Sequence, residues 1–121
     1  MNKAEAIKRI IAKQEETKFS GISERQVKIL CDIVTVMDLQ GVYKKHNSAI
    51  AQVAGYPYGK AVKQALAGLE RRGLIIRLYN QPNPKCVVRC LYFTEPFAEM
   101  IREEMGKNDS TGLWIRDASW S

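Results

Sequence analysis

Residues 47–79 read NSAIAQVAGYPYGKAVKQALAGLERRGLIIRLY, and the order of breaks inside this stretch decides the fold. The opening suits a short helix over 49–54, capped by Asn47 or Ser48 and stopped by Gly55. Tyr56, Pro57, Tyr58 and Gly59 then form a turn, made sharp because Pro57 disfavours helical backbone at Tyr56. Helix resumes over 58–72 and ends at Gly73. Residues 74–79 read as a strand.

Both flanks extend this order. Residues 80–85 are dense in turn formers, and 86–93 form a second strand rich in Val, Leu and aromatic residues. Thr94 caps a last helix over 95–105. Upstream, Ser23 and Gln26 have capping-box spacing and open a helix that ends near Gln40, before Gly41. Its core face is Val27, Leu30, Ile33, Val34 and Met37. A first helix over 3–16 carries an apolar stripe of Ala4, Ile7, Ile10 and Ile11, and residues 19–22 break the pattern. The expected fold is mainly α with a small β-hairpin. More finely, it is a winged helix-turn-helix domain over 1–105 with flanking N- and C-terminal helices. A polar tail follows over 106–121 and holds Trp114 and Trp120, expected to cover an apolar groove or to be disordered.

Composition sets the class. A hydrophobic fraction of 45% with 26% charged residues is that of a globular domain, and no apolar run spans a bilayer. No signal-peptide pattern opens the chain, and three cysteines do not make a disulfide scaffold, so a cytoplasmic setting is expected. The charge is localised: residues 60–89 hold seven basic side chains and one acid, Glu70, which accounts for the entire net charge of +6. A basic block inside a folded region suits a phosphate-facing surface.

The 58–72 helix divides cleanly. Val62, Ala65, Leu66 and Leu69 lie on one face and must pack inward, while Lys60, Gln64, Ala67 and Arg71 lie opposite, with Lys63 at the flank. Ala67, with Gly68 beside it, would let the helix seat deeply in a major groove. Gln64 suits a bidentate contact to adenine, and the cations suit guanine or phosphate. On the hairpin, Arg77 and Arg89 interrupt an apolar face near the free end, where solvent or phosphate would receive them, and Lys85 sits at the tip. Lys44, Lys45 and His46 precede a helix start at Asn47 or Ser48 whose N–H groups can meet an anion. Of Tyr56 and Tyr58, one is expected to pack and the other to touch phosphate.

Residues 61–75, AVKQALAGLERRGLI, resemble the end of the recognition helix in winged-helix regulators of the MarR type, and the step YFTE at 92–95 resembles the entry to their next helix. Residues 23–30, SERQVKIL, are similar to the opening helix of that group, and equally to the N-terminal domains of phage and plasmid replication initiators of the lambdoid replication protein O type. The resemblance covers about 23–105 and implies duplex DNA binding through the positions named. The chain departs from typical MarR proteins in its short N-terminal helix and in lacking a long C-terminal helix pair.

Cys31 is expected in or near the core, and Cys86 and Cys90 stand too far apart on one strand for a mutual disulfide. A zinc site from these three and His46 would lack close cysteine pairs. No phosphate loop, carboxylate pair or nucleophile–base set is present, so no enzyme, cofactor or small-molecule ligand is expected. The stripes of the first helix (Ile7, Ile10, Ile11) and last (Phe97, Met100, Ile101) either pair within the chain or form a homodimer interface suited to a palindromic site, and the dimer is the favoured expectation. The expected function is sequence-specific binding of double-stranded DNA by a repressor-like transcription regulator. A replication or mobile-element protein of the same fold and a winged-helix module for protein partners are the alternatives.

Overall fold

In the computed structural model, which describes residues 2–13 and 21–106, the Ser23 capping box forms as its spacing predicts. Ser23 Oγ accepts from the Gln26 amide at 3.1 Å, and Gln26 Oε1 accepts from the Ser23 amide at 3.0 Å. This opens α2 (Glu24–Gln40), and Gly41, at φ 77°, closes it by donating its N–H to Met37 O. A left-handed residue here is the conformation that glycine adopts without penalty. Before it runs α1 (Lys3–Lys13). The expected extension to residue 16 and the break at 19–20 lie outside the described residues, as does the tail beyond 106 with Trp114 and Trp120.

Helix α2 buries Ile29, Leu30, Ile33, Val34 and Met37, whereas Val27 is only half-buried. Ile29 was not expected in the core. It is buried because α2 meets α1 as well as α3 and α4, so its apolar arc is wider than one stripe.

Helix α3 (Asn47–Ala54) and α4 (Gly59–Arg71) are joined by the turn at 55–58. The cap of α3 differs from expectation. The helix begins at Asn47 with His46 as N-cap, and no side chain caps it. Asn47 Oδ1 is instead taken by Arg89. Tyr58, expected as the first helical residue, is the extended N-cap of α4, and Arg72 is its C-cap.

Strands β1 (Ile75–Asn83) and β2 (Cys86–Phe93) form an antiparallel two-stranded sheet. Strand β1 runs four residues further than expected, because only Pro84 and Lys85 are needed for the turn. Pairing runs regularly from Ile75↔Phe93 to Asn80↔Val88 and then shifts before Asn83↔Cys86. That irregularity contains Pro82, which has no N–H to give to a ladder. Thr94 starts α5 (Glu95–Glu104) without the expected side-chain cap. Its hydroxyl donates to Gly73 O at 2.6 Å and its amide to Leu74 O at 3.0 Å, which closes the base of the hairpin.

The flanking helices complete the core. Ala6, Ile7 and Ile10 of α1 and Phe97, Ala98 and Ile101 of α5 are all buried, and Phe93 meets Phe97 edge-to-face at 5.4 Å. Helix α1 lies against both α2 and α5, and Lys13 pairs with Glu104 at 2.8 Å. The two stripes considered for a dimer interface are thus paired within the chain. Among the described residues no helix is long and apolar enough to cross a membrane.

Leu66 sits at the centre of α4 and is almost wholly buried. Leu66→Ala is expected to destabilise the fold by about 2–5 kcal/mol through lost burial and a residual cavity, read as a lower urea midpoint at unchanged slope.

Candidate nucleic-acid interface

Helix α4 is two-sided. Val62, Ala65, Leu66 and Leu69 are buried, whereas Lys60, Lys63, Gln64 and Arg71 are exposed and Ala67 is half-buried. Gly68 does not belong to the outward stripe. It is buried, and a Cβ there would lie 3.1 Å from Gln26 Nε2, which donates to Ala65 O at 3.2 Å. Its smallness lets α2 approach α4 rather than lowering α4 into a groove.

The N-termini of α3 and α4 stand side by side. A Cβ on Gly59 would meet Asn47 Cβ at 3.3 Å and the Ser48 amide nitrogen at 3.4 Å. Exposed Ser48 and Lys60 therefore flank one junction. Of the turn tyrosines, Tyr56 is half-buried with the Arg25 guanidinium 5.3 Å from its ring centre, and Tyr58 is 61% exposed. Arg25, on the first turn of α2, was not singled out from sequence, since nothing local ties it to a residue 31 positions on.

Residues 43–46 alternate in exposure: Tyr43 is buried, Lys44 exposed, Lys45 half-buried and His46 exposed. The Tyr43 hydroxyl donates to Asp32 Oδ2 at 2.6 Å, and Lys45 Nζ donates to both Asp32 oxygens at 3.2 and 3.0 Å. Burial, then the bond to Asp32, pushes the Tyr43 hydroxyl well above its ordinary pKa. Lys45, expected among the phosphate contacts, spends its charge on Asp32. Tyr43 O accepts from the Leu91 amide at 3.0 Å, so this segment runs beside β2.

The two hairpin arginines are also placed differently from expectation. Arg77 lies opposite Leu91 and Arg89 opposite Tyr79, well short of the Pro84–Lys85 turn. Arg77 grips Glu70 of α4 through Nε and Nη2, the shortest contact being 2.8 Å. This bond to Glu70 raises the Arg77 pKa. Arg89 donates from Nη1 to Asn47 Oδ1 at 2.6 Å and from Nη2 to Lys45 O at 2.7 Å. Burial lowers its pKa, opposed in part by Tyr79. Both guanidiniums are turned toward the helical body because acceptors wait there. Glu70, the lone acid of the basic block, was a legible signal for the first, whereas a carbonyl acceptor at Lys45 has no sequence signature. Lys85 is exposed at the tip, as expected.

Among the described residues Lys44, Lys60, Lys63, Arg71 and Lys85 have no acidic partner. Between residues 44–47 and the hairpin opens a groove of about 600 Å³. Cys31 is half-buried, its Sγ 3.8 Å from Ala4 O, with burial raising its thiol pKa. Cys86 is exposed and Cys90 buried, and no His, Cys, Asp or Glu group suited to a metal occurs among the described residues. No family model, curated protein or solved structure matches the chain.

Arg89 ties the hairpin to the start of α3 with two charge-assisted bonds. Arg89→Ala is expected to cost about 1–3 kcal/mol in a urea titration, and Arg89→Lys to recover less than half, because one ammonium cannot span both acceptors.

Proposed function

We propose that this chain is a winged-helix protein that binds duplex DNA, with α4 as the recognition helix in the major groove and the β1–β2 hairpin as the wing. The observation that carries the reading is the outward face of α4. Lys60, Lys63, Gln64 and Arg71 all project to solvent from a helix anchored on its other side by Val62, Leu66 and Leu69. A rigid helix with a basic, amide-bearing face suits base edges and phosphates together.

The assignments follow from exposure. Gln64 reads adenine through its amide, while Lys60, Lys63 and Arg71 meet guanine or phosphate. Lys85 at the tip and Lys44 with Ser48 near the start of α3 meet the backbone on either side. Arg77, Arg89 and Lys45 act as positioning residues, since Glu70, Asn47 with the Lys45 carbonyl, and Asp32 already hold them. Binding over a promoter represses transcription by occlusion.

On the proposed DNA face five exposed cations among the described residues (Lys44, Lys60, Lys63, Arg71 and Lys85) have no acidic partner and suit about five phosphate contacts. A titration of mixed-sequence duplex is expected to give a log–log salt slope of roughly −4 to −5. Lys85→Ala flattens that slope by about 1 and weakens all sequences alike, whereas Gln64→Ala costs about 1–3 kcal/mol on the preferred site only. Negligible affinity at low salt, or a flat slope, sinks the reading. A chain whose activity survives neutralising Lys60, Lys63 and Arg71 together is a protein-binding module instead. Selection from a random library reports the number of copies bound: an inverted repeat with half-sites about ten base pairs apart marks a dimer.

A further inference from the structure

The duplex reading of α4 places Lys44 on the backbone but gives no role to the groove that Lys44 borders, between the hairpin and residues 44–47. At about 600 Å³ it is within the roughly 300–1,000 Å³ of sites that hold small-molecule-sized groups. One wall is formed by Tyr79 and Val87, which are 64% and 61% exposed although large and apolar. Tyr79 pairs across the ladder with Arg89, and Val87 lies two residues before Arg89 on the same face. The facing wall carries the exposed Lys44 and His46. Between them Arg89 is fixed by its bonds to the Lys45 carbonyl and Asn47. Among the described residues no acid lines the groove.

An exposed aromatic ring beside cations, in a groove whose described lining holds no acid, suits a planar base joined to a phosphate. Bases inside a duplex are stacked and paired, so their faces are not available to a tyrosine. We infer that the groove takes the first nucleotide of an unpaired strand adjoining the bound duplex, its base stacked on Tyr79 and its phosphate, the one at the junction with the duplex, against Lys44 and His46. The inference rests on the duplex reading, because α4 brings the strand to the groove. The preferred target is then a duplex with a single-stranded extension, or a site that opens at one end.

The test uses the full chain and a set of duplexes with one common core, either blunt or carrying a short unpaired extension at the 3′ or 5′ end. One polarity of extension is expected to tighten binding on the order of tenfold. A 2-aminopurine placed in that extension should lose fluorescence on binding as it stacks. Tyr79→Ala removes both effects while blunt-duplex affinity stays unchanged, and Tyr79→Phe keeps them. Val87→Asp, which sets an acid in the groove, also removes the gain. Circular dichroism of each variant reports that the fold is intact. Equal affinity for blunt and extended duplexes overturns the inference, as does a gain that survives Tyr79→Ala. A free mononucleotide that binds as tightly as the extended strand also overturns it, in favour of a small-ligand site. Loss of blunt-duplex binding in the unmodified protein defeats the reading of α4 instead, and the two failures are told apart by the blunt arm alone.

Discussion

The Arg89 guanidinium holds the exposed surface together. It leaves β2, reaches the carbonyl of Lys45 and the side chain of Asn47, and so joins the hairpin to the first residue of α3. Asn47 in turn lies against Gly59 at the start of α4. One planar donor therefore sets the spacing of three elements, of which α4 and the hairpin carry exposed cations of the proposed DNA face. A lysine at this position has the charge but not the fork geometry. The lowered pKa of Arg89 is the sign of the burial that this bridging requires.

The exposed charge and the structural charge are separate populations. Lys45 and Arg77 are balanced by Asp32 and Glu70, and each pair joins two elements: Lys45 to α2, and β1 to α4. These pairs are partly solvated, so they orient side chains more than they stabilise the fold. Of the other cations of the block, Lys60, Lys63, Arg71 and Lys85 are exposed, whereas Arg72 and Arg89 are half-buried and donate to acceptors of the fold. The block is thus basic for two reasons, and its net charge overstates what is open to a partner.

Much of the fold was legible because its signals are local. Ser23 with Gln26, Gly41, Gly55 and the turn at Pro57 each act over a few residues, and each works in the structure as its chemistry requires. The inward face of α4 followed from a 3.6-residue period alone. The misreadings of side-chain roles are long-range. Asn47 and Thr94 look like caps by residue type, but Arg89 and Gly73, far away in sequence, claim their side chains. Gly68 looks like a concession to a ligand and instead makes room for Gln26. The hairpin outran its expected length because prolines suggest a loop, whereas Pro82 sits within β1 at a register shift. For the site, the exposed residues of α4 and Lys85 were legible from spacing. The inward turn of Arg89 and Lys45 was not, since their acceptors lie far away in sequence or on the backbone, whereas that of Arg77 was signalled only by Glu70.

The alternation at residues 43–46 has an evolutionary corollary. Tyr43 and Lys45 face Asp32 and secure the segment beside β2, while Lys44 and His46 point away from that network. Anchoring and display are thus assigned to different residues of one short segment. Among the described residues no folding contact fixes the identity of 44 and 46, so what the segment displays can change in descendants of this chain without altering how the segment is anchored.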